Sequence, residues 1–95
     1  MKPSNTVVVT TAHRGVFFGT VKEDHGKEKV ILKDARNCIS WSKSVKGFLG
    51  LASTGPDNQC RIGPAVKQLI LYDITSVTEC TASAAKAWKE APWTS

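Results

Sequence analysis

Asp34 to Pro64, DARNCISWSKSVKGFLGLASTGPDNQCRIGP, is the stretch on which the fold turns. At its start, Asn37 to Trp41 (NCISW) alternates as a strand does; at its end, Gln59 to Ile62 (QCRI) does so briefly before Gly63-Pro64 breaks it. Between them the period of two gives way to Gly47, Gly50, Gly55 and Pro56, which predicts a long central loop over residues 42–58. The middle of that loop, Gly47-Phe-Leu-Gly-Leu-Ala52, is more apolar than a solvated loop. It is expected to fold back onto the domain or to meet a neighbouring subunit, as a lid or an interface.

Working outward, the flanking segments read as short strands. Thr6 to Thr11 (TVVVTT) is β-branched throughout, Ala12-His-Arg-Gly15 reads as a turn, and Gly15 to Lys22 (GVFFGTVK) returns as a second strand with a bend or bulge at Gly19. Glu23 to Glu28 forms a charged hairpin tip, Lys29 to Lys33 (KVILK) a third strand, and Asp34-Ala-Arg a turn before Asn37. Beyond the loop, Gln68 to Tyr72 (QLILY) and Ile74 to Cys80 (ITSVTEC) are strands separated by Asp73. Thr81 then caps an alanine-rich helix over residues 82–90, ended by Pro92, with Trp88 facing the sheet. The fold class expected is therefore mainly β: a small bent antiparallel barrel of Sm or SH3 type, with a long central loop and a C-terminal helix, in one domain spanning residues 1–95.

Composition narrows the function. With 95 residues, 41% hydrophobic and 22% charged, the chain has a globular balance and the size of one small domain, whose marginal stability assembly would relieve. No apolar run is long enough to span a membrane, and Met1-Lys-Pro-Ser-Asn leads into a strand without the apolar core of a signal peptide, so a cytoplasmic location is expected. Cys38, Cys60 and Cys80 are three, widely spaced and without a CxxC pair; they are expected as reduced thiols, with neither a metal nor a cofactor. Residues 33–67 hold six basic residues, Lys33, Arg36, Lys43, Lys46, Arg61 and Lys67, against Asp34 and Asp57, and so carry four of the five net positive charges. That concentration favours an anionic partner: a nucleotide, a nucleic acid or an acidic protein face.

Val7-x-Val9, the turn ending Arg14-Gly15, Gly19-x-Val21 and Val30-x-Leu32-x-Asp34-Ala35 together resemble the first motif of Sm-like proteins, over roughly the first 36 residues. That resemblance implies a bent five-stranded barrel that assembles into RNA-binding rings. The second Sm motif, an Ile-Arg-Gly strand, has no counterpart, since Arg61-Ile62-Gly63 orders these residues differently. Along nearly its whole length the chain also resembles small uncharacterised proteins of tailed phages and prophages, through HRGVF at His13 to Phe17, DARxC at Asp34 to Cys38, and an ending like Glu79-Cys-Thr…Trp88…Pro-Trp93. By analogy of type, small phage oligomers that sequester nucleotide immune signals share its compactness and basic character.

The candidate ligand-binding residues are His13, Arg14, Arg36, Asn37, Trp41, Lys43, Lys46 and Arg61. The guanidinium forks of Arg36 and Arg61 suit phosphate, or else pair with Asp34 or Asp57. His13 and Arg14 sit at a turn tip, within reach of a ligand or simply exposed. Trp41 stacks a base or ends its strand in the core, and Asn37 reads a base edge or caps a turn. Gly47, Gly50 and Gly55 would let backbone N–H groups approach a phosphate, but no GxxxxGK[ST] or GxGxxG occurs. The leading expectation is a phage-type homo-oligomer that binds a small anionic nucleotide; the alternative is an Sm-like nucleic-acid-binding barrel. An enzyme built on His13 or His25 ranks last, because no paired carboxylates or nucleophile-base spacing accompany them.

Overall fold

The computed structural model describes residues 5–12, 15–40, 47–56 and 60–91. Six antiparallel strands and two helices follow in the order β1 (Thr6–Thr11), β2 (Val16–Asp24), β3 (Lys29–Ser40), α1 (Gly47–Ser53), β4 (Arg61–Ile62), β5 (Val66–Tyr72), β6 (Ile74–Glu79) and α2 (Ala82–Glu90). The fold is mainly β with a C-terminal helix. The sheet runs β4-β3-β2-β1-β6, and β5 also pairs with β3.

Why β1 lies inside the sheet is written in its valines. Val7, Val8 and Val9 are all fully buried, so both faces of this strand are covered, and a run of β-branched residues replaces alternation. Val7 and Val9 belong to one core with Val21, Val30, Leu32, Ala35, Leu71 and Ile74, inside the bend of the sheet. Val8 faces the other way, into a second core with Phe18, Leu51, Ile62 and Trp88 that lies under the helices.

Bulges produce the bend. The register between β2 and β3 slips between Phe18 and Thr20 and again between Val21 and Glu23. Gly19 sits at the first slip, where a Cβ would come within 2.8 Å of Leu32 Cβ, so only glycine lets β2 lie this close on β3. β3 is the long strand of the sheet: β2 lies along one edge, while β5 and then β4 share the other. Asp34, at φ 51°, is a kink within that strand rather than the turn expected between two strands. Short polar side chains tolerate this left-handed conformation, and Asp73, at φ 55°, repeats the device between β5 and β6. The sheet stays open, for among the described residues no ladder joins β5 to β6.

The expected loop over residues 42–58 is in part a helix, α1. Its C-terminus is closed by Gly55 at φ 83°, with the N–H groups of Thr54 and Gly55 both donating to Gly50 O, at 2.8 and 3.3 Å. Leu51 and Ala52 are buried, as expected of an apolar segment folded back on the domain. One hydroxyl joins the two helices: Thr81 Oγ1 accepts from Ala84 N as the α2 N-cap at 3.1 Å and donates to Ser53 O at the end of α1 at 2.7 Å. No helix among the described residues is long and apolar enough to cross a membrane.

Candidate functional site

Of the eight candidate residues, His13, Arg14, Trp41, Lys43 and Lys46 lie outside the described residues. Arg36, Asn37 and Arg61 are described, and the structure gives them different tasks. Arg36 leaves β3 beyond the Asp34 kink and is 6% exposed. Its Nε donates to Gly63 O at 2.8 Å, and its Nη1 donates to Trp88 O at 2.8 Å and Ala91 O at 2.5 Å. The last two are orphan carbonyls at the C-terminus of α2, where the helix dipole is negative, so the guanidinium supplies both the donors and the charge that this end lacks. Burial pushes the Arg36 guanidinium below its ordinary value, yet an arginine starts so high that it stays charged. Neither the phosphate role nor a pair with Asp34 accounts for these bonds; three backbone carbonyls do.

Asn37 packs on the same strand crossing. Gly63 N donates to Asn37 O at 2.9 Å, and a Cβ at Gly63 would overlap Asn37 Oδ1. Gly63 is therefore needed by both neighbours, for its bare Cα beneath Asn37 and for its carbonyl on Arg36. Arg61 lies exposed on β4, in the two-residue ladder with β3.

Beside Arg36 the surface opens into a cleft of about 420 Å³ lined by Phe18, Asp34, Arg36, Ala65 and Lys89. Four separate parts of the chain meet there: β2 supplies Phe18, β3 supplies Asp34 and Arg36, the segment before β5 supplies Ala65, and the last turn of α2 supplies Lys89. Phe18 is fixed from behind by Trp88, with ring centroids 5.1 Å apart and planes 6° from parallel, and Trp88 Nε1 donates to Leu51 O at 3.0 Å. Phe18, itself 1% exposed, is thus the buried floor of the cleft, with Arg36, Lys89 and Asp34 around it. The volume falls within the range of small-molecule sites. Sequence reading singled out Arg36 but missed Phe18, Asp34, Ala65 and Lys89 as lining residues. Lys89 carried a signal, a basic residue in the last helical turn, but that signal speaks of the helix dipole and not of a cleft.

The remaining titratable groups are scattered. His25 Nε2 lies 3.1 Å from Glu23 Oε1 at the exposed tip between β2 and β3. Cys38 and Cys60 are buried free thiols, and burial pushes the half-buried Cys80 thiol from 9.0 up to about 12. Cys80 borders a smaller polar cleft of about 220 Å³ with Asn5, Thr6 and Glu79. Among the described residues no three His, Cys, Asp or Glu side chains cluster to hold a metal ion.

No curated protein and no solved structure matches the chain. A family model described as a domain of unknown function (DUF6948) matches residues 4–88, spanning the sheet, α1, most of α2 and every described residue lining the larger cleft except Lys89, and the chain belongs to that family.

Proposed function

We propose that this protein is a phage-type oligomeric binding protein that sequesters a small anionic nucleotide, of the kind used as a host immune signal, in the cleft between β3 and the end of α2. The observation that carries the reading is the convergence of Arg36 and Lys89 on a cleft with a rigid aromatic in its lining. Among the described lining residues two cations against the single carboxylate of Asp34 favour an anion. The charged groups among those residues are Asp34, Arg36 and Lys89, a set that suits holding an anion. Arg36 acts through the charge it holds at the cleft while its Nε holds Gly63 and its Nη1 secures the end of α2; Lys89, exposed and flexible, makes the direct contact.

The test is calorimetric titration with AMP, 3′,5′-cyclic AMP and cyclic di-GMP, alongside native mass spectrometry of protein isolated from cells that make such signals. Binding of one of them, weakened about tenfold by Lys89→Gln through loss of one charge-assisted hydrogen bond, is the expected result. A folded protein that binds none of the three at millimolar concentration and carries no nucleotide from the cell refutes the reading.

One observation favours a second reading, a nucleic-acid surface. Lys22, Lys29 and Lys33 lie on the outer side of β2 and β3 beside the exposed Tyr72, and Lys22 Nζ reaches across to Gln68 Oε1 at 2.8 Å. Under that reading an oligothymidylate binds with an affinity that falls steeply with salt, and nucleotides do not compete.

A further inference from the structure

The exposed apolar surface is concentrated on one strand. Val66, Ile70 and Tyr72, 46%, 42% and 61% exposed, are three of the five large hydrophobic residues that face solvent among the described residues, and all lie on β5. The same strand is an edge: among the described residues β5 pairs with β3 alone. Alternate residues of an antiparallel edge strand direct their N–H and C=O groups outward, and such an edge is normally guarded by charge, by proline or by shortness. β5 has seven residues, no internal proline and Lys67 as its single charge.

We propose that β5 pairs antiparallel with β5 of a second copy, across a two-fold axis at Leu69, joining two sheets into one. The oligomer in the functional reading above is thereby given its interface. Leu69 is the middle residue of Val66–Tyr72, so this register pairs the whole strand. It sets Tyr72 against Val66 of the partner subunit and Ile70 against Gln68 of the partner subunit, which places all three exposed apolar residues within a cross-strand contact. The half-buried Leu69 meets its own symmetry mate, and the aliphatic stem of Lys67 covers the partner's Leu71.

Charge does not oppose the pairing. Lys33 lies opposite Gln68 on β3, so it and the partner's Lys33 are three strand spacings apart, roughly 14 Å at the usual separation, beyond the screening length of about 8 Å in physiological salt. The pairing also bears on the cleft. Val66, which faces the partner's Tyr72, follows Ala65 of the cleft lining in the chain, so the second copy brings an aromatic ring to the β5 side of the nucleotide site.

The test uses the full chain in native mass spectrometry and light scattering, with Ile70→Lys, and a mixture of two single variants, Gln68→Cys and Ile70→Cys. A dimer is expected for the wild type, a dissociation constant at least about tenfold weaker for Ile70→Lys, and a disulfide-linked dimer on mild oxidation of the mixture but of neither variant alone. A monomeric wild type, a closed ring of more than two copies, or a dimer indifferent to Ile70→Lys overturns the pairing. Nucleotide titration of Ile70→Lys separates the two proposals: binding by the monomer leaves the cleft reading intact, and a wild-type dimer that binds none of the three nucleotides leaves the interface intact without it.

Discussion

Arg36→Ala distinguishes a structural arginine from a ligand-binding one. The substitution removes the donors that reach Gly63 O, Trp88 O and Ala91 O, the first two buried and the third partly so. An unpaired buried acceptor costs about 1–3 kcal/mol. The variant also loses a guanidinium that burial disfavours, which offsets part of that cost, so the net destabilisation is about 2–4 kcal/mol. A domain of this size is stable by roughly 5–15 kcal/mol, so the variant folds, with a melting temperature lower by on the order of 10–25 °C. Thermal unfolding followed by far-ultraviolet circular dichroism measures this directly, and in a Trp41→Phe, Trp93→Phe background the fluorescence of Trp88 reports whether the end of α2 has detached. Arg36→Lys should fall between, since one ammonium cannot serve three carbonyls from one position. If Arg36→Ala melts within about 2 °C of the wild type, water has replaced the guanidinium at no cost and the clamp is not structural.

Two further predictions concern glycines and pH. Gly55→Ala must place a Cβ 2.7 Å from Ala87 Cβ and 3.0 Å from Ala84 O at φ 83°, whereas Gly26→Ala, at φ 70°, meets nothing within 4 Å. Gly26→Ala should therefore cost about 1 kcal/mol for the left-handed backbone alone, and Gly55→Ala clearly more; equal melting temperatures would refute the close packing of α1 on α2. Cys80 is a thiol whose folded value is raised, so its contribution to stability is complete below pH 9.0 and is lost as the pH climbs toward about 12. Denaturant titrations between these limits should show a smaller alkaline loss in Cys80→Ala than in the wild type, and matching pH profiles would show that the thiol is not desolvated.

How far the fold was legible depends on where its signals lay. β1, β2, β5, β6 and the Thr81-capped α2 were readable because each carries its own local pattern: β-branched runs, alternation, a cap. From sequence β3 reads as two strands because Asp34 looks like a turn residue, and whether an aspartate at positive φ ends a strand or only kinks it is decided by the neighbours, here β2 and β5 holding both halves. From sequence α1 reads as loop because Gly47 and Gly50 lower helix propensity, and tertiary burial of Leu51 and Ala52 outweighs that. Gly55 followed by Pro56 was the available stop signal. The site was less legible still. Arg36 stood out by type, but its partners are main-chain carbonyls, which every residue possesses and no residue advertises. Phe18 and Lys89 become neighbours only when β2 and α2 are packed together.

The clamp also sets an order of events during synthesis. Arg36 is translated 52 residues before Trp88 and 55 before Ala91, and β1 acquires its second partner only when β6 has been made. A nascent chain stalled at residue 80 holds an arginine destined for the interior with two of its carbonyls not yet synthesised, and a sheet whose second core lacks the face of Trp88. Its early strands can pair transiently, but their packing waits for β6 and α2 to emerge. The second core is thereby completed only once α2 has been made, with the least guarded edge, β5, exposed during that interval.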